Sequence, residues 1–405
     1  MTGQLKQMPG VSLVRNVSCQ TDAELVSAFR STDWNFHHST TENDAHNIHP
    51  FPAKFIAQIP RKVLELVSVS SGTAVLDPFC GSGTTLLEAQ NAGHSFVGVD
   101  LNPIAVLISR VKTDGLQPDA LDVLRSTVEV AQDQYKLRAY VIPDIPRLSH
   151  WFRPDVASAM ACLVDAIRDA KCTDALRQFM RLSLSAITVR VSNQESETRY
   201  AAIEKRVSGE DVFRLLERSG CAIASKLSKS YSGLFSPTKR AGLVIQADAR
   251  NIGQLTIPPV SVVITSPPYP NAFEYWLYNK YRMYWLGYDP ISVRGSEIGA
   301  RPHYVSPNGD TLHDFATEMA AAFVGVAKHL INDAVVAIVV SSQCKIRGEV
   351  LDVPTMLENA LVEIGYAPLA RVTRTIPRTR KAFNPDIGSI ESETLLVMRW
   401  RSQWT

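Results

Sequence analysis

The chain has 405 residues, 45% of them hydrophobic and 20% charged, and a formal net charge of +2. This is the composition of an ordinary globular protein with ample apolar material for a core, and it excludes a fibrous or disordered chain. No apolar run reaches membrane-spanning length, the first residues lack a signal-peptide core, and the six cysteines form no C-x-x-C pair. Neither a membrane span nor a zinc or disulfide framework is therefore expected, and a reducing cytoplasm is. The small net charge leaves nucleic-acid binding open, because a transient grip needs only one basic face. Lys226, Lys229, Lys239 and Arg240, and further on Arg371, Arg374, Arg378, Arg380 and Lys381, read equally as phosphate contacts or as solvated charge.

Residues 1–47 read as an N-terminal arm with a helix near 22–30. Ile48 to Phe55 then leads into a helical pattern up to Val67, and Ser70-Ser71-Gly72 is a turn. Thr73 to Leu76 is a short buried strand, Gly81 to Gly83 opens a helix to about Ala92, and Ser95 to Val99 is a second strand closed by Asp100. A helix should follow from Pro103, since proline suits a first helical position. Residues 48–112 form one half of an α/β unit, and 113–240 a mostly helical insertion with helical periods over 119–137, 155–171, 173–190 and 210–226. Residues 241–405 form the other half, with strands at 242–247, 260–264, 334–340, 366–373 and 394–400 and a helix at 353–364. Strands separated by helices imply a mainly parallel sheet with ligand sites beyond the strand C-terminal ends, where Asp77, Asp100, Asp248 and Ser266 all fall.

Two motifs carry chemistry. In Val75-Leu76-Asp77-Pro78-Phe79-Cys80-Gly81-Ser82-Gly83-Thr84-Thr85, the glycines let backbone approach a ligand and the helix N-terminus beneath offers free N–H groups. Asp100 is placed to accept both hydroxyls of a ribose. The third glycine of a dinucleotide fingerprint is absent, with Leu86 in its place, and Asp77 would repel a pyrophosphate but welcome an ammonium group. Asp248 reads equally as an acceptor for an adenine amine or as a helix N-cap. In the second motif, Thr265-Ser266-Pro267-Pro268-Tyr269, two prolines end a buried strand in a stiff turn. Its hydroxyl, its bare carbonyls and its ring suit the clamping of a flat base with an exocyclic amine.

Together these motifs, with Gly98-Val99-Asp100 and with His49-Pro50-Phe51-Pro52-Ala53-Lys54-Phe55, resemble the S-adenosylmethionine-dependent amino-methyltransferases of DNA, the N4-cytosine and N6-adenine enzymes. The resemblance covers about residues 48–112 and 242–400. It implies a Rossmann-like class I methyltransferase fold, a seven-stranded, mostly parallel sheet with a reversed C-terminal hairpin, beside the helical insertion. It also implies S-adenosyl-L-methionine as cofactor, held by Phe51, Asp77, Pro78, Phe79, Gly81, Ser82, Gly83, Thr84, Asp100, Leu101 and Asp248. Catalysis would rest on Ser266, Pro267, Pro268 and Tyr269, with Tyr269 and Phe273 against the flipped base. Serine before Pro-Pro-Tyr is, by resemblance, more typical of the cytosine-N4 enzymes. The expected partner is double-stranded DNA, with a cognate restriction endonuclease as a candidate second partner, in a bacterial or archaeal cytoplasm at the nucleoid.

Residues 113–240 are the first candidate for target recognition, and 287–308 with 371–386 the second. The aromatic-rich run from Phe273 to Tyr288, which includes Tyr275, reads either as a wall of a base pocket or, for most of its rings, as a helix packed on the sheet, with Phe273 the exception nearest the turn. His37, His38 and His49 read as loop or capping residues, and no metal site is expected. An adenine-N6 enzyme, an RNA guanine-N2 methyltransferase and, from another class, a nicotinamide oxidoreductase or a non-catalytic nucleotide-binding scaffold are the alternatives; thermal stabilisation by NAD only, and not by S-adenosylhomocysteine, would defeat the methyltransferase reading.

Overall fold

The computed structural model describes residues 21–36, 44–52, 54, 56–197, 199–231, 242–271, 273–305, 309–376 and 391–401. The strands are β1 (Ala74–Asp77), β2 (Ser95–Asp100), β3 (Gly242–Gln246), β4 (Val260–Thr265), β5 (Leu330–Ser341), β6 (Cys344–Ile346), β7 (Glu349–Leu351), β8 (Tyr366–Thr375) and β9 (Ser392–Trp400), and the first five are mostly apolar runs that close on a polar residue. Seven of them form one sheet in the order β3-β2-β1-β4-β5-β9-β8, and β6 pairs with β7 in a small separate hairpin that the sequence did not announce. The pairs from β3 across to β5 are parallel. In the C-terminal hairpin, β9 lies antiparallel to both β5 and β8, so this one strand runs against the rest.

The helices are α1 (Asp22–Ser31), α2 (Gln58–Leu66), α3 (Thr84–Asn91), α4 (Pro103–Asp114), α5 (Ala120–Lys136), α6 (Leu148–Trp151), α7 (Pro154–Asp169), α8 (Asp174–Val191), α9 (Gly209–Tyr231), α10 (Tyr275–Trp285), α11 (Pro290–Ser296), α12 (Arg301–Val305), α13 (Leu312–Ala327) and α14 (Val353–Glu363). Alternate strand residues face opposite ways, as the period of two requires. Leu76, Val263 and Val336 pack under Phe315 and Phe323 of α13 and Leu357 of α14. Val75, Val262 and Val339 meet Leu25 of α1, Ile59 of α2 and Leu86 of α3 on the other face. The helix α13, which makes the crossover from β4 to β5, went unread in the sequence. Its signal is the capping box Thr311 to Asp314, where each side chain satisfies the other's backbone N–H.

A third core belongs to the helices between β2 and β3. Ile104 and Ile108 of α4, Leu124 of α5, Met160 and Leu163 of α7, Leu182 of α8 and Leu216 of α9 are buried together. Helix α10 joins this core through Trp276, Tyr281 and Trp285, which corrects the expectation that its rings pack on the sheet. The reason is positional. α10 begins ten residues past the end of β4, so it starts beyond the strand C-terminal ends, where the helical segment entered through α4 is the available apolar surface. His49 is buried against this region, its Nε2 lying 3.0 Å from the Ser185 hydroxyl. His37, His38, Ala53, Phe55, Lys239, Arg240, Arg378, Arg380 and Lys381, and the parts of the second recognition candidate at 306–308 and 377–386, lie outside the described residues.

Candidate active site

Sheet order reverses between β1 and β4, and the cleft that opens there encloses about 870 Å³ of space free of protein atoms, counting the solvent at its mouth. Both motifs reach it. Pro78, Phe79, Gly81, Ser82 and Thr84 after β1, Ser266 and Pro268 after β4, and Asp100, Leu101 and Asp248 at the ends of β2 and β3 line it together. Phe51 and Lys54 come in from the segment before α2.

The glycine loop is shaped by backbone needs. Gly81 and Gly83 have φ of 50° and 76°, the left-handed region that disfavours a side chain. The Gly81 N–H donates to Asp100 Oδ2 at 2.8 Å, and the Asn102 N–H donates to Oδ1 at 2.8 Å. From α4 below, the Ser109 hydroxyl donates to the Gly81 carbonyl at 2.8 Å, and the fully buried Lys112 ammonium donates to the Ser82 carbonyl. Burial brings Lys112 down to about 7. A Cβ on Gly83 would stand 2.8 Å from the Ser109 hydroxyl and 3.2 Å from its Cα. Gly83→Ala is thus expected to destabilise the fold by about 1–3 kcal/mol, from left-handed strain and the clash together, measurable by denaturant unfolding.

Asp77 sits beneath the cleft rather than in its lining. It is 0% exposed, its Oδ1 accepts from the Thr265 hydroxyl at 2.6 Å and from the Phe79 N–H at 3.1 Å, and its Oδ2 has no partner among the described residues. Burial raises its pKa to about 7. The carboxyl thus ties the end of β4 to the loop after β1, so the two motifs meet directly through Asp77 and Thr265. Asp100 is likewise raised by burial, to about 6, against the pull of its two N–H donors.

Of the two roles the sequence left open for Asp248, the structure shows the N-cap. Its side chain caps the short 3₁₀ turn Ala249–Gln254 by accepting the Arg250 N–H, and it also lines the cleft. The Arg250 guanidinium holds the carboxylate and reaches on to Glu318 and to the Ser296 carbonyl. That last bond fastens the C-terminal end of α11, whose Ser296 lines the cleft.

Gly83, Pro267, Tyr269 and Phe273, like Asp77, do not line the cleft. Gly83 is packed on Ser109, and Phe273 leans on Tyr275 at 5.8 Å between ring centroids. Pro267 is buried. The half-buried Tyr269 donates its phenol hydrogen to Glu393 at 3.0 Å and lies 3.4 Å from the Ser266 hydroxyl. Glu393 is in turn paired with the buried Arg374 at 2.5 Å, whose Nε donates to the Trp34 carbonyl at 3.1 Å. The last two strands thereby fix the proline turn from the side. Gly299 fixes it from below: at φ 75° it passes so close that a Cβ would meet the Tyr269 carbonyl oxygen at 3.3 Å.

Sequence reasoning missed Glu297 and counted Tyr275 among the packed rings, yet both line the cleft. Tyr275 stacks on Phe51 at 5.8 Å and 20° between planes. The Glu297 carboxyl, 7% exposed, accepts the Tyr275 N–H at 2.8 Å and the Trp276 N–H at 3.4 Å, which caps α10 from a distant segment. Burial raises it to about 8. The one local hint was that Glu274 at the N-cap of α10 makes no capping bond, which leaves the helix start to a partner elsewhere in the chain.

Residues 13–110 match the family model described as DNA methylase, of the N6/N4 type. The chain is 28% identical over 169 residues to the Type II methyltransferase M.MvaI of Kocuria varians, covering 39% of this chain and 37% of that protein. It is 36% identical over 93 residues to M.MjaII of Methanocaldococcus jannaschii (22% and 17% covered), and 22% identical over 278 residues to M.BsoBI of Geobacillus stearothermophilus (62% and 54% covered). The matches thus span about a sixth to a half of these relatives' lengths. Among solved structures, TrmN from Thermus thermophilus aligns with a TM-score of 0.34 at 12% identity, over 88% of this chain and 51% of that one. The glycine loop inside the matched stretch and the Ser-Pro-Pro-Tyr turn at the same cleft agree with these sequence matches, which support the DNA amino-methyltransferase family, the group that takes in both N4-cytosine and N6-adenine methylases.

Proposed function

We propose that this protein methylates the exocyclic N4 amine of a flipped cytosine in duplex DNA, as the modification arm of a restriction–modification system. The observation that carries the reading is the shared cleft, lined by residues of the glycine loop and by Ser266. The serine before Pro-Pro-Tyr favours cytosine over adenine by family resemblance, and the description of the relatives as Type II methyltransferases supports the restriction–modification setting.

The family's methyl donor is S-adenosylmethionine, and the residues fit it. Each Asp100 oxygen accepts one backbone N–H and keeps a lone pair for a ribose hydroxyl. The buried Ser82 Oγ and Asn102 Nδ2, both on cleft-lining residues, have no partner among the described residues and call for a polar ligand. Phe51, stacked on Tyr275, offers an apolar wall. When bound, the cofactor supplies an electrophilic sulfonium methyl.

The chain's own residues must then make a poor nucleophile better, because the amine lone pair of the base is conjugated into its ring. Ser266 Oγ would accept one amine hydrogen and the Pro267 carbonyl, which takes no hydrogen bond among the described residues, the other. Both bonds strengthen as positive charge develops on nitrogen, so they favour the transition state over the ground state. The Tyr269 ring, held at its hydroxyl by Glu393, is the proposed stacking surface for the base. Tyr269→Phe should lower turnover about tenfold and leave cofactor affinity unchanged, since only the tether that positions the ring is lost. Steady-state kinetics beside calorimetric titration with S-adenosylhomocysteine would read both.

The test of the function is to digest DNA from cells expressing the chain to nucleosides and identify the methylated species by mass. N4-methylcytosine is the expected product. N6-methyladenine alone would overturn the base assignment, and methylated RNA with unmodified DNA would overturn the substrate.

A further inference from the structure

Beside the cleft lies a group of cations without counter-charges among the described residues. Lys280 of α10 and Arg294 of α11 flank the same ring, Lys280 Nζ 5.9 Å and Arg294 Cζ 5.2 Å from the Trp276 centroid. Lys280 Nζ is also 5.8 Å from the Tyr281 ring. Arg147, exposed and held at φ 58°, is the residue from which α6 starts, and Trp151 of that helix lies 5.4 Å from the same Tyr281 ring. Three positive groups that raise one another's energy persist in a fold only when something else sets their positions, and here the aromatic faces hold two of them. None of the three has a carboxylate partner among the described residues, whereas neighbouring Arg282 is paired with Glu197. The Trp276 indole N–H, also without an acceptor among the described residues, adds an unsatisfied donor at the centre of the group.

Position ties this group to the reaction. Val293 and Ser296, on either side of Arg294, line the cleft, as does Tyr275 next to Trp276. Glu297, another lining residue, holds the Tyr275 and Trp276 N–H groups. On its far side the group reaches the helical segment, where Trp151 and Tyr200 pack with Tyr281. Fixed cations along the edge of a cleft, joining the two parts of the molecule, suit an extended polyanion that must lie across the mouth while one of its units enters.

We propose that Arg147, Lys280 and Arg294 form a sequence-independent contact for the DNA backbone phosphates that flank the extruded base. The inference rests on the reading of the chain as a DNA-acting enzyme and adds where the strand is gripped. Aromatic packing pre-orders Lys280 and Arg294, so part of the entropy of fixing long side chains is already spent in the free protein.

The full chain with Arg147→Gln, Lys280→Gln and Arg294→Gln combined should bind duplex DNA about 10–100-fold more weakly near physiological salt. The plot of log affinity against log salt should be shallower by roughly 0.9 for each phosphate no longer neutralised. The weakening should be the same for target-bearing and unrelated duplexes. Titration with S-adenosylhomocysteine should stay within about twofold of the wild type, and the charge-keeping pair Lys280→Arg with Arg294→Lys should retain the wild-type salt slope. An unchanged slope in the triple variant, a weakening confined to one DNA sequence, or an equal weakening in the charge-keeping pair would each overturn the phosphate contact. A wild-type chain with no salt-dependent affinity for duplex DNA would instead remove the underlying function, so the two failures are distinguishable.

Discussion

Ser266→Ala is expected to cut turnover about 10²–10³-fold while moving S-adenosylhomocysteine affinity less than about threefold. The hydroxyl is the one side-chain acceptor that the proline turn presents to the cleft. Its only partner among the described residues is the Tyr269 hydroxyl at 3.4 Å, too long for a strong bond. Removing it therefore leaves no buried group stranded and should change stability by less than about 1 kcal/mol. A loss of rate without loss of fold or cofactor isolates a bond made mainly in the transition state, which lowers kcat rather than raising KM. Single-turnover transfer of labelled methyl to duplex DNA, beside calorimetry, separates these effects. Full activity in Ser266→Ala would remove the amine clamp from the mechanism.

Asp100→Asn should weaken cofactor binding by about 10²-fold and flatten its pH dependence. Both oxygens of Asp100 already accept backbone N–H groups, from Gly81 and Asn102. An amide would turn one of those acceptors into a donor facing a donor, which loosens the loop as well as losing charge-assisted bonds to the ribose. In the free protein the Asp100 pKa is raised to about 6, so the carboxyl is partly protonated below neutrality. Two ribose hydroxyls donating to it favour the ionised form. Cofactor affinity should accordingly rise from about pH 5 to 7 and level off above, with proton release on binding that calorimetry in buffers of different ionisation enthalpy detects. For the ligand-free fold the sign is opposite. A carboxyl raised above its unfolded value of 3.8 makes its contribution to stability below that value and loses it as pH rises to about 6. An affinity in the wild type that is independent of pH across this range would show that Asp100 does not meet the ribose.

The chain by itself determined the parts whose information is local. Apolar runs ending in Asp77, Asp100 and Thr265 mark strands, because a buried parallel strand reads as an unbroken hydrophobic run. The glycines at 81 and 83 marked a loop between strand and helix, and the structure adds that both take left-handed backbone, which few other residues tolerate. The meeting of the glycine loop and the proline turn at one cleft followed from strand order alone, once the fold family was inferred from the motifs. Tertiary structure alone decided what depends on partners far apart in the chain. Glu393 meets Tyr269 across 124 positions, Glu297 caps a helix 22 residues before it, and Asp77 was drawn under the cleft by Thr265 across 188 positions. No local pattern encodes such pairs, because a carboxylate in a loop has the same sequence signature whether it faces water, a ligand or a buried donor. Which of these it meets is set by the packing of elements brought together only when the chain folds.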